Sequence, residues 1–198
     1  MEDITIVVLA AGASARMGQP KQLLDWGGLP LVRVVAEHAL AAQAAQVLVV
    51  VGGAEVSVRS ALADLQVEIV ANPAYRSGQS SSLRAGIAAL APTCAAAVIM
   101  LGDQPFVTPM IINSLTEVWR MSRAAIVAPL YHGQRGNPVL FDQCVFAELC
   151  AIHGDQGARA IIQADPARIR SVAFADSRPL EDIDTPADYA RLMAQTGD

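Results

Sequence analysis

Short apolar runs rich in β-branched residues alternate with longer stretches of helical periodicity, and this alternation is the strongest constraint on the fold. Residues 4–9, 46–51, 67–70, 96–101, 125–129, 138–141 and 171–174 read as strands. Residues 56–65, 80–90, 109–122, 144–152, 157–164 and 186–194 read as helices, and residues 132–136 as a turn. Pro30 opens a further helix with Leu31, Val34, Val35 and His38 on one face. The first run, Ile4 to Leu9, hardly alternates in polarity, as expected of a strand covered on both faces. Such spacing predicts an α/β fold, a mostly parallel sheet with helices on both sides. No repeat or low-complexity linker interrupts it, so residues 1–198 are expected to form a single domain. Ligands of open α/β sheets bind beyond the carboxyl ends of the strands, which directs attention to the segments starting at residues 10, 71 and 102.

Composition narrows the function classes. Hydrophobic residues make up 53% and charged residues 17%, which excludes a disordered chain. No apolar run reaches the roughly 18 residues of a membrane span, and the acidic start Met1-Glu2-Asp3 is unlike a signal peptide. A cytoplasmic location with no membrane partner is the expectation. Cys94, Cys144 and Cys150 have no metal-binding spacing and read as reduced, mostly packed thiols. A net charge of -5 argues against a nucleic-acid partner. Of the 14 basic residues, Lys21 is the single lysine, and it sits in the most glycine-rich stretch. Lysine offers a compact, flexible point charge where arginine offers a planar fork, so a site that needs that shape is a reason to find it there.

That stretch runs Leu9-Ala10-Ala11-Gly12-Ala13-Ser14-Ala15-Arg16-Met17-Gly18-Gln19-Pro20-Lys21. It is not a Walker A loop, because five residues separate Gly12 from Gly18 and Gln19 follows. It is not the dinucleotide fingerprint either, because Ala13 and Ser14 follow Gly12. What remains is a strand end followed by small residues, which leave backbone N–H groups open to an anion, then Arg16 and Lys21.

The whole pattern, LAAGxSxRMGxxK, resembles the signature of the nucleotidyltransferases that activate sugars, isoprenoid precursors and molybdopterin. Further segments follow in order: Asn72-Pro73, Gly78-Gln79-Ser80-Ser81-Ser82-Leu83, Leu101-Gly102-Asp103-Gln104-Pro105, Arg135-Gly136-Asn137-Pro138, Gly154 to Arg159, and Asp182-Ile183-Asp184-Thr185-Pro186. Together they look like the molybdenum cofactor cytidylyltransferase branch. The resemblance implies a single Rossmann-like (GT-A-like) nucleotidyltransferase domain with a mixed seven-stranded sheet. It implies transfer of CMP from CTP to the phosphate of molybdopterin, with a molybdenum hydroxylase (xanthine dehydrogenase-like) apoenzyme as a partner.

By the same resemblance, Leu9, Ala10, Ala11, Gly12 and Ser82 belong to the nucleotide site. Lys21 and Arg16 contact its phosphates, Asp103 is the principal Mg²⁺ or Mn²⁺ ligand, and Asp184 is the second. Two carboxylates beside substrate phosphates suit Mg²⁺. Chemistry without the metal explains the same residues in part: Asp103 fits a Gly-Asp-Gln-Pro turn, Asp184 a helix start and Ser82 an N-cap. Asp182 is the alternative to Asp184. By resemblance, Gln104, Arg135 and Asn137 are candidates for the acceptor side, together with Gly154 to Arg159 as a loop feeding a helix. A phosphate nucleophile is already ionised near neutrality, so His38, His132 and His153 are not expected to act in catalysis. Competing readings are GTP or a sugar or polyol phosphate as substrate, a non-catalytic cofactor-delivery protein, and an oxidoreductase on a related scaffold.

Overall fold

The computed structural model describes residues 3–12, 17–155 and 157–195. Strand β1 (Asp3–Ala10) lies in the middle of the sheet, flanked by β4 (Gln46–Val51) and β6 (Cys94–Leu101), both parallel to it. Beyond β4 lies β5 (Glu68–Ala71); beyond β6 come β9 (Val139–Asp142), β7 (Ile126–Tyr131) and β10 (Ile169–Phe174). Strand β9 is antiparallel to both its neighbours, while β10 is parallel to β7. A two-residue strand, β8 (Gln134–Arg135), hangs on β7 and completes an eight-stranded mixed sheet. The residues read as a turn at 132–136 thus contain a strand of a tight hairpin.

The two faces of β1 separate two cores by simple alternation. Ile4, Ile6, Val8 and Ala10 pack under α1 (Leu31–Leu40), α2 (Glu55–Ala61) and α4 (Pro109–Ser122). Val7 points the other way, into a cluster with Leu83 and Ile87 of α3 (Gln79–Ala88), Leu149 of α5 (Phe146–Ala151) and Ile161 of α6 (Arg159–Ala164). Helix α3 approaches β1 closely because Gly86 has no side chain: a Cβ there would lie 2.5 Å from Val7 Cγ1.

A third cluster places the site. Its members Leu24, Trp26, Leu31, Ile183 and Leu192 join the segment after β1 to the chain's end, α7 (Pro186–Met193). Trp26 lies on a small antiparallel hairpin, β2 (Asp25–Trp26) and β3 (Leu29–Pro30), and meets Phe106 edge-on at 5.6 Å. The hairpin turns on Gly27 and Gly28, at φ 65° and 92°, the left-handed pair that a two-residue turn demands. Thr185 caps α7 reciprocally with Asp188.

Four expectations are corrected. The buried face of α1 is Leu31, Val32, Val35, Ala36 and Ala39; Val34 and His38 flank it, because the 3.6-residue period centres the stripe on Val32, Val35, Ala36 and Ala39. Helix α2 stops at Ala61 where a turn over Leu62 begins, and the segment read as helix at 144–152 starts as a 3-10 turn. Of the cysteines only Cys94 is packed: Cys144 and Cys150 are exposed, on the 3-10 turn and outer face of α5. Among the described residues no helix is long and apolar enough to cross a membrane.

Candidate active site

Leu9 pairs with Leu101 where β1 and β6 end together. Following the chain, β1 leads to β4 on one side, and β6 leads by way of α4 to β7 on the other, so a crevice opens at these paired ends. It holds a cavity of about 610 Å³ lined by Leu9, Ala10, Ala11 and Gly12 of the loop after β1, by Asp103 after β6, and by Lys21, Ser82 and Asp184. All of these are sequence-predicted site residues. Arg16 lies outside the described residues.

Lys21 begins a 3-10 turn, Lys21–Leu23, that brings its side chain to the cavity floor. Its ammonium is paired with the Asp103 carboxylate and also with Asp184, at 3.2 Å. Burial alone would lower the lysine's pKa, but the two carboxylates and their hydrogen bonds outweigh it and raise it above the ordinary value. Asp184 comes from far along the chain. It gets there because Ile183, fully buried in the third cluster, anchors the segment between Asp182 and Asp184. The hydroxyl-bearing helix start is also different from the expected one: α3 is capped by Gly78 at φ 102°, and Ser82 lies in its first turn. Asn72 donates to Ser82 Oγ at 3.0 Å and to Ser81 Oγ at 2.9 Å, which orients Ser82 at the cavity wall.

A second cavity, about 450 Å³, adjoins the first; Leu9, Gln79 and Leu101 line both. Arg135 and Asn137 lie here because β9 runs antiparallel, so its beginning faces the crevice. Arg159 and Asp182 add charge, and Val139, Phe141 and Ile162 form apolar walls. Tyr131 donates its hydroxyl to the Asn137 carbonyl at 2.7 Å. Gln104 is buried and reaches the cavity indirectly, donating to Asp182 at 2.6 Å. The Asp182 carboxyl is pushed up in pKa by burial and then by the Asp103 carboxylate, against the pull of the Gln104 hydrogen bond. None of the three histidines lines either cavity. His38 instead contacts the Val107 carbonyl, and His153 contacts Arg84.

Sequence reasoning missed Gln22, whose amide donates to the carbonyls of Ala10 (3.1 Å) and Gly12 (2.8 Å) and ties the loop after β1 to Lys21. The Ala10 carbonyl therefore already accepts a hydrogen bond within the protein. It also missed Arg76 as a cavity residue, which only its nearness to the motif segments could have marked. Of the segment expected on the acceptor side, Gly157, Ala158 and Arg159 line the second cavity, whereas Asp155 lines the first.

The carboxylates suit a hard divalent cation by donor chemistry. Asp103 and Asp184 converge on one cation already, the ammonium, and oxygen donors of this kind take Mg²⁺ or Mn²⁺ with phosphates or water completing the shell. Among the described residues no group of three or more Asp, Glu, His or Cys is arranged as a self-sufficient metal site. A metal held by these two carboxylates would complete its shell with oxygens of water or substrate.

Against known proteins, the description "MobA-like NTP transferase domain" matches residues 6–170. The chain belongs to that family. Its members are nucleotidyltransferases by superfamily, and the fold agrees with the resemblance read from the loop after β1. The MobA-like chain is 32% identical to nicotine blue oxidoreductase of Paenarthrobacter nicotinovorans, over 96% of each sequence. It is 27% identical to molybdenum cofactor cytidylyltransferase of Escherichia coli (strain K12), covering 96% of this chain and 95% of that one. The crystal structure of Rv0371c from Mycobacterium tuberculosis H37Rv superposes with a TM-score of 0.88 at 34% identity, covering 97% of this chain and 98% of that one. The same protein in complex with manganese superposes at 0.83, with 31% identity and coverage of 97% and 98%.

Proposed function

We propose that this MobA-like protein transfers CMP from CTP to the phosphate of molybdopterin and releases pyrophosphate, with residues 1–198 working as one domain. The observation that carries the reading is the adjacency of two unlike cavities. One has Lys21, Asp103 and Asp184 at its floor; the other has Arg135, Asn137 and Arg159 against apolar walls. A nucleotide fits the first, an acceptor with a flat ring and an anionic end fits the second, and the shared wall of Leu9, Gln79 and Leu101 is where they meet.

An oxygen of the acceptor phosphate attacks the α-phosphorus of CTP. The new P–O bond forms as the bond from the α-phosphorus to the β-phosphate's bridging oxygen breaks, and pyrophosphate leaves. No general base is required, which suits cavities without histidine. Positioning and charge neutralisation carry the rate. Lys21 donates to the phosphate oxygens, Arg16 holds the departing pyrophosphate, and Ser82 with the Ala10-Ala11-Gly12 backbone takes the cytidine. Asp103 and Asp184 would hold the divalent cation, Mg²⁺ or Mn²⁺, which would supply Lewis-acid neutralisation of the phosphate charge. Arg135 and Asn137 bind the acceptor, with Gln104 setting Asp182 beside them. A cytoplasmic location and delivery of the product to a molybdenum hydroxylase apoenzyme belong to the same reading.

A second reading, an oxidoreductase, is favoured by the 32% identity to nicotine blue oxidoreductase. One experiment separates them. Pyrophosphate release is measured with molybdopterin, Mg²⁺ and either CTP or GTP, alongside NADH and NADPH oxidation with a quinonoid dye. Release with CTP, reduced roughly a hundredfold in Lys21→Ala and Asp103→Ala, is expected. Release with GTP alone would move the base assignment. Nicotinamide oxidation without pyrophosphate release would replace the transferase reading.

A further inference from the structure

Lys21 does two things that compete. In the reading above its ammonium serves the phosphates of the nucleotide. In the structure it is bound instead to Asp103 and Asp184, the two carboxylates that hold the divalent cation. The ammonium is hydrogen-bonded to Asp103 Oδ2 and Asp184 Oδ1, and a divalent cation held by the same two carboxylates would compete with it for those oxygens. Withdrawing that ammonium without a replacement cation would remove a positive charge that both carboxylates share.

We propose that Lys21 is an exchangeable placeholder for the metal, so that the divalent cation enters with the nucleotide and not ahead of it. In the free protein the lysine satisfies Asp103 and Asp184. A triphosphate arriving with its cation gives the ammonium new acceptors and gives the carboxylates a new cation in the same event. The long stem and compact head of lysine allow the swing, which the planar fork of arginine would not perform as readily. This explains the one lysine in an arginine-rich chain by its position. The inference rests on the proposed metal site but not on the identity of the base or the acceptor.

The test is Mn²⁺ binding to the full chain, read as loss of the free-ion electron paramagnetic resonance signal, with and without CTP and with no acceptor present. Wild type is expected to bind Mn²⁺ weakly alone and roughly 5- to 150-fold more tightly with CTP, the usual range of coupling between two ligands. Lys21→Met is expected to bind Mn²⁺ alone on the order of tenfold more tightly than wild type, with a correspondingly smaller effect of CTP. Lys21→Gln, neutral but still polar, should behave likewise and guards against a folding defect in the first variant. Asp103→Asn should bind poorly in every condition. Arg76→Met removes one positive charge from the same cavity without touching the pair, and should change Mn²⁺ affinity far less. The proposal is overturned if both Lys21 variants bind Mn²⁺ alone no better than wild type, or if Arg76→Met gains as much. Equal Mn²⁺ affinity of wild type with and without CTP overturns it too. Absence of Mn²⁺ binding to wild type even with CTP would remove the metal site itself, a failure distinct from that of the exchange.

Discussion

Replacing Asn72 by alanine tests how the nucleotide wall is held. Asn72 is buried, with 4% of its surface exposed, and its side chain makes three hydrogen bonds: to Ser81 Oγ at 2.9 Å, to Ser82 Oγ at 3.0 Å, and from the Ala74 amide at 3.0 Å. Ser81 has other partners, the carbonyls of Ala74 and Gly78, so its loss is small. Ser82 loses its donor and the Ala74 amide loses its acceptor. At about 1 kcal/mol per bond, and more where a buried group is left unpaired, the change costs about 2–3 kcal/mol. For a chain of this length that is a fall in Tm of about 4–12 °C. Calorimetry or a circular-dichroism melt measures it. The double mutant with Ser82→Ala should show a coupling of about 1 kcal/mol, since the two residues share a bond. Both single variants should raise KM for CTP, and the double variant should raise it little further. A Tm within about 2 °C of wild type, or no coupling, refutes the argument that Asn72 fixes Ser82.

Gly86→Val places a Cβ 2.5 Å from Val7 Cγ1 and 3.2 Å from Val50 Cγ2, where α3 rests on the sheet, and is expected to cost about 1–3 kcal/mol by overpacking; an unchanged denaturation midpoint refutes it. Asp182→Asn tests the pH dependence of stability. An acid whose pKa is raised on folding costs stability once ionised, so the cost is absent below the unfolded value of about 4 and complete above the raised folded value. The asparagine variant should therefore melt higher than wild type near pH 7, with the difference shrinking as pH falls toward 4; a pH-independent difference would show that ionisation is not the cause.

The strands of the sheet were legible because burial on both faces leaves runs such as Ile4 to Leu9 with no polar residue but Thr5. The direction of β9 was not, because Val139–Asp142 has the same local preferences whether it pairs parallel or antiparallel; the partner decides. The hairpin of Asp25–Trp26 and Leu29–Pro30 escaped notice because two-residue strands have no periodicity, although the Gly27-Gly28 pair marks the turn. At the site, Lys21, Asp103 and Ser82 were found through motif and position after a strand. Asp184 was found by motif alone, since its arrival depends on Ile183 entering a cluster with Trp26, a contact across most of the chain. Gln22 was invisible for a different reason: a buried glutamine serving two carbonyls looks in sequence like any surface glutamine.

The pairing of Lys21 has a chemical consequence. Apart from the terminal amine, this chain carries one primary amine, and it is held protonated between two carboxylates with 18% of its side chain exposed. Acylating reagents react with the free base of an amine, so the chain's entire stock of side-chain amine nucleophilicity is withheld at a single address. Once the label on the terminal amine is set aside, labelling at Lys21 becomes a reporter of one ion pair, and its rate follows how often that pair opens.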